Sequence, residues 1–382
     1  MLKIIHSADW HLRDMQFGKT SRAQDFTDSV YRIVDVAVKE GADYILCAGD
    51  ILHSKKPSSK NIGDLLELNR RLLAADVTLL VVTGNHDKCN PSWIKVLQQE
   101  LSSNGKSCGI YDIDHTLFTM KPKGKGKDIT VYGLPDMAPD DFRAAVPEFP
   151  DADILMLHGL VKDFAAFDAG DRALTVEDLP CNRYKAILLG DIHTHAYKTV
   201  GNCTVGYPGS TELCSRQESP DKYVSLFTFQ DDGTVDRTSL PIRLNRPIVI
   251  KDVRTRDEAD LLLKDITALK KQHPTLLIRK DLEMTDLYAR IVSVVDAREC
   301  VIRVSNIPSE GFKLMNLVNR AKNDPGNKLP EDFVADYFSA NTSCFAMAQA
   351  LCDREAKPAQ IIETFIDTTL YANKEVNDQK FG

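Results

Sequence analysis

The sequence predicts an α/β protein in which β-strands are flanked by helices. Short runs rich in Ile, Leu and Val recur along its first two thirds, and each is too short for a helix but has the composition of a buried strand. Amphipathic helical patterns separate these runs, and this alternation is typical of sheets with helices packed on their faces. The five predicted strands are residues 2–5, 44–47, 78–82, 154–157 and 186–189.

The two helices predicted between the first three strands each have one apolar face. The first face comprises Phe26, Val30, Ile33, Val34, Ala37 and Val38, and the second comprises Ile62, Leu65, Leu66, Leu72 and Leu73. Further along, residues 223–229 alternate between apolar and polar. They are followed by Asp231-Asp-Gly-Thr, which suits a β-hairpin turn.

Changes in pattern divide the chain into three predicted domains: 1–240, 241–310 and 311–382. The first contains the strand–helix alternation. Near Asn245-Arg-Pro the pattern becomes a strand, a helix over 258–272 and two strands, which is typical of a small α+β domain. Residues 311–382 are predicted to be helical, with apolar stripes at Phe333, Val334, Tyr337 and Phe338, and at Ile361, Ile362, Phe365, Ile366 and Leu370.

Composition excludes several classes of protein. No apolar run is long enough to span a membrane, and the first residues lack the pattern of a signal peptide, so we expect a cytoplasmic protein. Nine cysteines are scattered without a Cys-x-x-Cys pair, which argues against a zinc ribbon or a disulfide framework. The net charge of −7 means that nucleic acid would have to bind through local basic patches.

Each predicted strand is followed by a short motif of Asp, His or Asn. Because ligands of α/β sheets bind beyond the carboxyl ends of the strands, these side chains are expected at one edge. Their oxygen and nitrogen atoms are ligands for divalent cations, and a pair of such cations catalyses phosphoester hydrolysis. No cysteine lies in the motifs, which argues against a structural zinc site. The residues are Asp9, His11, Asp50, His53, Asn85, His86, Asp87, His158, Asp191, His193 and His195.

Any one of these motifs is more typical of a solvated loop or of a hydrogen-bonded buried histidine. Five of them at five strand ends favour a metal centre, and six of the nine histidines of the chain lie in them. The ordered set Asp-x-His, Gly-Asp-x-x-His, Gly-Asn-His-Asp, His-Gly and Gly-x-x-His resembles the calcineurin-like metallophosphoesterase superfamily. That resemblance implies a β-sandwich flanked by helices.

Two further motifs narrow the resemblance. The segment Gly49-Asp-Ile-Leu-His53, with Lys-Lys-Pro-Ser one residue later, is similar to the break-repair nucleases of the SbcD type, and so is Tyr207-Pro-Gly-Ser210. The resemblance covers residues 1–230 and extends over 240–308 as the family's capping domain. It implies a Mn²⁺-dependent DNA nuclease, a 3′–5′ exonuclease on duplexes and an endonuclease on single strands.

The resemblance also implies a role for each motif residue. Asp9, His11, Asp50 and His193 would hold one metal ion, and Asp50 would bridge to a second ion completed by Asn85 and His158. His86 would be the general acid for the leaving 3′ oxygen, and His53 would orient it or contact the phosphate. Asp87 would hold these residues in place through hydrogen bonds without itself binding a metal ion.

One position departs from the family pattern, which usually has Gly-His-x-His at the last motif. Asp191 replaces the first histidine there. A carboxylate can replace imidazole as a ligand and shifts the preference toward hard cations, so we favour Asp191 as ligand and Mn²⁺ as the ion, with Mg²⁺ as the alternative. The competing interpretation makes His195 the ligand and gives Asp191 a supporting role.

Two groups of lysines are candidates for contact with DNA. Lys55, Lys56 and Lys60 follow the second motif, and Lys121, Lys123, Lys125 and Lys127 lie in a glycine-containing stretch that fits a solvated loop equally well.

Partners follow from the same resemblance. It implies a homodimer and an SbcC-like ATPase bound through the C-terminal helices, acting in DNA repair or phage DNA metabolism in a bacterial cell or a phage-infected host. Packing of those helices on one another is the plainer alternative. A small-molecule phosphodiesterase or phosphatase of the same superfamily is the second candidate function, and a scaffold with a decayed metal site is the third.

Overall fold

The computed structural model describes residues 1–166 and 173–307. The helices predicted for 311–382, with both of their apolar stripes, lie outside the described residues. One compact unit comprises Met1–Ile278 and Met284–Val304, and it contains every site residue considered below. Within the described residues, no helix is both long and apolar enough to cross a membrane.

The first half of the chain alternates strands and helices. Its elements are β1 (Leu2–Ser7), α1 (Ser21–Glu40), β2 (Tyr44–Cys47), α2 (Ser59–Ala75), β3 (Thr78–Val81), α3 (Trp93–Ser103), β4 (Ile110–Asp112), β5 (Leu117–Met120), β6 (Ile129–Leu134), α4 (Pro139–Ala145), β7 (Ile154–His158) and β8 (Ala186–Gly190). Short 3₁₀ helices occupy Val146–Glu148, Lys162–Phe164 and Val176–Asp178. All five strands predicted from apolar runs are strands in the structure.

The remaining elements complete two large sheets and form a third, smaller one. They are β9 (Ala196–Val200), β10 (Cys203–Tyr207), β11 (Lys222–Phe229), β12 (Val235–Ile242), β13 (Ile248–Val253), α5 (Arg256–Leu269), a 3₁₀ turn at Lys270–Gln272, β14 (Thr275–Lys280), α6 (Leu287–Val292) and β15 (Val301–Asn306). The predicted hairpin is β11–β12, and the helix predicted over 258–272 is α5 with its 3₁₀ turn.

Two six-stranded sheets carry parallel strands at their centres. The first has the order β12-β11-β1-β2-β3-β4 and the second β5-β6-β7-β8-β10-β9, while β13-β14-β15 form the small sheet. Strands β1 to β4 are parallel to one another, and so are β6, β7, β8 and β10. The carboxyl ends of the motif-bearing strands therefore share one edge in each sheet.

The large sheets pack face to face as a sandwich. Successive residues of one strand are buried in different hydrophobic cores, because their side chains point to opposite faces of the sheet. Ile4 belongs to the same core as Met156 of the other sheet, whereas Ile5 belongs to the core that contains the buried side chains of α1 and α2. A third core covers the outer face of the second sheet, and residues of the small sheet, α5 and α6 form a core of their own.

Helix α2 differs in one respect from its prediction. It begins after Ser58, whose side chain accepts a hydrogen bond from the backbone N–H of Asn61 and so caps the helix. Its buried face comprises Leu65, Leu68 and Leu72. Leu66 and Leu73, predicted on that face, are 45% and 42% exposed, because they lie one position away from the buried stripe.

Candidate metal centre

Two loops that follow neighbouring parallel strands form the floor of the site. The loop after β1 runs beside the loop after β2, and the backbone N–H of His11 donates to the carbonyl of Asp50 at 2.9 Å. Asp9, His11 and Asp50 all have positive φ angles, of 53°, 47° and 54°. Non-glycine residues in this region are strained, and such strain clusters where a fold must aim side chains at a site.

The first cluster of donor atoms joins the loops after β1, β2 and β8. Nε2 of His11 lies 3.1 Å from Nε2 of His193 and 3.6 Å from Oδ2 of Asp50. Asp9 is fully buried, and its carboxylate accepts from the backbone N–H of Asp191 at 3.1 Å. Asp9, His11 and Asp50 can together hold a metal ion.

The second cluster is centred on His158. Its Nδ1 donates to the carbonyl oxygen of Ala48 at 2.8 Å, so the lone pair is on Nε2. That Nε2 lies 3.7 Å from Oδ1 of Asp50 and 3.8 Å from Oδ1 of Asp191. The two carboxylate oxygens of Asp50 thus face different histidines, one in each cluster, as a bridging ligand requires.

The donor set fits divalent cations. Nε2 of His158 is buried and has no hydrogen-bond partner among the described residues, although buried polar atoms are almost always paired. Burial raises the pKa of Asp9 to about 6, and Asp50 and Asp191 add to the rise. Burial also raises the pKa of Asp191. A cation would satisfy both the unpaired imidazole lone pair and the crowded carboxylates.

His53 and His86 lie beside these clusters. Their rings are stacked, with centroids 5.1 Å apart, and the ring of His86 meets that of His11 at 4.8 Å. The backbone N–H of His86 donates to Oδ1 of Asp50 at 2.9 Å, and its Nδ1 donates to the carbonyl of His53 at 3.1 Å. Arg13 donates to Nδ1 of His53 at 3.3 Å, which leaves the proton of that ring on Nε2.

Asn85 and Asp87 flank His86 and differ in environment. Asn85 is exposed at the tip of the loop after β3. Asp87 is buried and accepts from the backbone N–H groups of Gly84 at 2.7 Å, Ile51 at 2.7 Å and Leu52 at 3.2 Å. It therefore ties the loops after β2 and β3 together. Burial raises the pKa of Asp87 to about 7, and the nearby Asp50 adds to the rise.

Asp191 and His195 are placed very differently. Both ring nitrogens of His195 are already bonded, Nδ1 to the carbonyl of Pro208 at 3.1 Å and Nε2 to the hydroxyl of Ser239 at 2.8 Å. The carboxylate of Asp191 faces His158 in the second cluster. This arrangement favours Asp191 as the ligand, which stays a prediction.

Three side chains at the site were not predicted from the sequence. Arg13 contacts His53, and Glu218 accepts from Nδ1 of His193 at 2.8 Å. Cys214 lies close enough to His11 and His193 to form a third group that could hold a metal, although no thiol was expected near the site. Glu218 and Cys214 belong to the segment after Ser210, which folds back over the site. No local pattern in the sequence of this segment predicts that it lies there.

All three of these side chains shift the pKa of a histidine at the site. Burial and the positive charge of Arg13 lower the pKa of His53 to about 4. Burial lowers the pKa of His193, but Cys214 and Glu218 outweigh it and raise that pKa to about 11.

The candidate DNA-contact lysines do not form one surface. Lys55 and Lys56 are exposed just beyond His53, whereas Lys60 lies 2.6 Å from Asp64 in an ion pair within α2. The four lysines at 121–127 are exposed in the loop that precedes β6. Lys123 donates its backbone N–H to Asp43, which directly precedes β2, so this loop lies at the amino ends of the strands, opposite the metal centre.

Comparison with known proteins agrees with the fold. A family model described as calcineurin-like phosphoesterase matches residues 2–196. This match covers half of the chain, and the chain therefore belongs to the calcineurin-like phosphoesterase family.

Curated relatives of this chain include the following three proteins called DNA double-strand break repair protein Mre11. The relative from Halobacterium salinarum is 31% identical over 70% of this chain and 65% of its own length. The relative from Methanosarcina acetivorans is 30% identical over 63% of this chain and 39% of its own length. The one from Archaeoglobus fulgidus is 26% identical over 74% of this chain and 66% of its own length. The match thus spans less than two thirds of each relative.

Proposed function

We propose that this chain is a metal-dependent nuclease that hydrolyses phosphodiester bonds in DNA during break repair. The observation that carries the proposal is the position of Asp50, whose two oxygens face His11 and His158 while the backbone of His86 donates to one of them. The names of the curated relatives supply the substrate, DNA, and the process, break repair.

In this proposal the two donor clusters each hold one divalent cation. Asp9, His11, Asp50 and His193 would hold the first, and Asp50, Asn85, His158 and Asp191 the second. The oxygen-rich second cluster favours Mn²⁺, with Mg²⁺ as the alternative. When bound, the two ions supply positive charge that stabilises the negative charge developing on the phosphate.

The uncharged state of His53 suits it to bind the substrate. Because its low pKa keeps the ring neutral at physiological pH and Arg13 occupies Nδ1, His53 presents an N–H donor at Nε2. A phosphate oxygen is the acceptor that such a donor fits.

His86 is suited to proton transfer. It is partly exposed, and its Nδ1 is bonded to the backbone of His53. Its Nε2 has no hydrogen-bond partner within residues 1–166 and 173–307, so this atom can carry a proton to the leaving 3′ oxygen. The stacking of the two rings holds this donor beside the bridging carboxylate of Asp50.

The finer activities and partners belong to the same proposal. They are 3′–5′ exonuclease action on duplex DNA, endonuclease action on single strands, a homodimer, and an SbcC-like ATPase bound through residues 311–382. The division into a nuclease domain at 1–240, a capping domain at 241–310 and a partner-binding region at 311–382 is proposed with them.

Cleavage of end-labelled linear duplex DNA with Mn²⁺ tests the proposal, beside a His86→Ala variant and an EDTA control. We expect nucleotide release that EDTA abolishes and that the variant lowers by about 10²- to 10⁴-fold, the usual contribution of a general acid. If the protein leaves DNA intact but hydrolyses bis(p-nitrophenyl) phosphate, the metal centre works, and either the ATPase partner is needed for DNA cleavage or the substrate is a small phosphodiester. Inactivity on both substrates would contradict the catalytic proposal itself.

A further inference from the structure

We propose that Glu218 is a positioning residue for the metal centre, which fixes His193 as a ligand through a carboxylate relay held by Lys222 and Ser210. The inference rests on the proposed metal centre and deepens it. None of these three residues belongs to the motifs that follow the predicted strands.

The first step of the relay selects the form of His193 that can bind a metal. Oε1 of Glu218 lies 2.8 Å from Nδ1 of His193, which donates its proton to the carboxylate. With Nδ1 engaged by Glu218, Nε2 is the atom that can meet a metal ion, which would displace any proton there, and Nε2 faces Nε2 of His11 at 3.1 Å. Hydrogen bonds of this kind fix the tautomer and orientation of metal-ligating histidines and increase their basicity.

The second step holds the carboxylate itself in place. Oε2 of Glu218 accepts from Nζ of Lys222 at 2.7 Å, from the hydroxyl of Ser210 at 3.0 Å and from the backbone N–H of Cys214 at 3.1 Å. The side chain of Lys222 is only 2% exposed, and its Nζ also donates to Ser210 at 2.8 Å. A buried ammonium group is stable only with such partners, so the pair is locked in a single geometry.

The relay is anchored to both large sheets. Lys222 is the first residue of β11, which pairs with β1, the strand that precedes Asp9. Ser210 follows β10 in the other sheet, at the end of the Tyr207-Pro-Gly-Ser210 motif. The motif therefore has a physical task in this chain, because it supplies a fully buried hydroxyl to the carboxylate that orients a ligand.

Binding of Mn²⁺, measured by titration calorimetry, tests the inference on the full chain. We expect Glu218→Ala to lower the affinity for one of the two bound Mn²⁺ ions by about 10- to 100-fold, which is the usual effect of losing a residue that hydrogen-bonds to a metal ligand. The affinity for the other ion should stay unchanged. Glu218→Gln keeps the volume and one acceptor oxygen but places an amide beside Lys222, so a smaller loss at the same ion is expected. The gradation from Gln to Ala is what a positioning role predicts.

Glu212→Gln is the matched control. Glu212 lies on the same segment and is buried, but its carboxylate accepts from Arg22 at 3.1 Å and from the backbone of Leu213 instead of a histidine. It should lower the melting temperature without changing either Mn²⁺ affinity.

Each outcome decides a different claim. Unchanged Mn²⁺ binding in both Glu218 variants would overturn the inference, and so would an equal weakening in Glu212→Gln, because that result would mean a purely structural effect. If the unaltered chain binds no Mn²⁺ at all, the proposed metal centre fails first.

Discussion

The protonation pattern of the histidines determines what each residue can do at this site. His158 and His193 each donate from Nδ1 to a carbonyl or carboxylate oxygen, which leaves Nε2 as the ring atom that can meet a cation. His53 has the opposite arrangement, because Arg13 donates to its Nδ1. The position of the ring proton thus distinguishes the two proposed metal ligands from His53, the proposed hydrogen-bond donor to phosphate, although all three are histidines.

The pKa of His53 gives a pH-dependent prediction. Because burial and Arg13 lower it to about 4, the ring should remain neutral until the pH falls well below the range of an ordinary histidine. Replacing Arg13 by Met removes a positive charge, so the pKa should rise. Histidine NMR titration of the metal-free protein measures both midpoints.

Arg71→Met is the matched control for that titration. Arg13 and Arg71 each place the guanidinium carbon 4.3 Å from the centroid of an aromatic ring, on Phe26 and Tyr31 respectively. Only Arg13 reaches His53, so only its replacement should move the titration. An equal shift in both variants would contradict the assigned role of Arg13.

Asp191 and His195 can be separated by metal affinity. We expect Asp191→Ala to reduce Mn²⁺ affinity by more than the roughly 10- to 100-fold that loss of an outer partner costs, because a ligand itself is removed. His195→Ala breaks only hydrogen bonds to Pro208 and Ser239 and should leave the affinity unchanged. Calorimetry with each variant measures this, and a weakening confined to His195→Ala would reverse the assignment.

At the scale of secondary-structure elements, the loops after the strands must approach one another very closely. Gly84, after β3, leaves no room for a side chain, because an added Cβ would overlap the backbone N and the carboxylate of Asp50. The glycine therefore lets the loop carrying His86 lie against the loop carrying the bridging ligand.

Replacing Gly84 by Ala should accordingly displace Asp50 and abolish tight Mn²⁺ binding at both sites. Gly63→Ala is the control, since a Cβ at that exposed position in α2 meets nothing within 4 Å. There alanine should stabilise the fold by about 0.5–1 kcal/mol, because glycine is unfavourable inside a helix. Calorimetric metal titration and denaturant unfolding measure the two effects. Intact Mn²⁺ binding in Gly84→Ala would show that the loop tolerates the side chain.

The elements and the site differ in how far the sequence predicts them. The central strands are recognisable because both of their faces are buried, so apolar residues run without interruption. Helix faces are harder to predict, since a shift of one residue along the helix moves a side chain away from the buried stripe, as for the exposed Leu66 and Leu73. Arg13 and Glu218 were not predicted because they reach the site through tertiary contacts, which no motif or period encodes.

The net charge of −7 makes the position of each basic group important for the molecule as a whole. Lys55 and Lys56 are exposed beyond His53, on the side of the metal centre. The four lysines at 121–127 lie at the amino ends of the strands, where Met1 pairs with Asp231 and where Lys123 reaches Asp43. A DNA strand bound for cleavage would meet the first group and not the second.

Salt dependence of DNA binding tests this division of the surface. In a His86→Ala background that prevents turnover, anisotropy of a labelled duplex is measured between roughly 50 and 200 mM salt. Replacing Lys55 and Lys56 by Gln should reduce the log–log slope by about 0.9 for each phosphate that a lysine no longer neutralises, since each neutralised phosphate releases a condensed counterion. Gln at Lys121, Lys123, Lys125 and Lys127 removes twice the charge but should leave the slope unchanged. If that variant flattens the slope instead, DNA extends to the opposite end of the strands and the metal centre is only part of a longer binding surface.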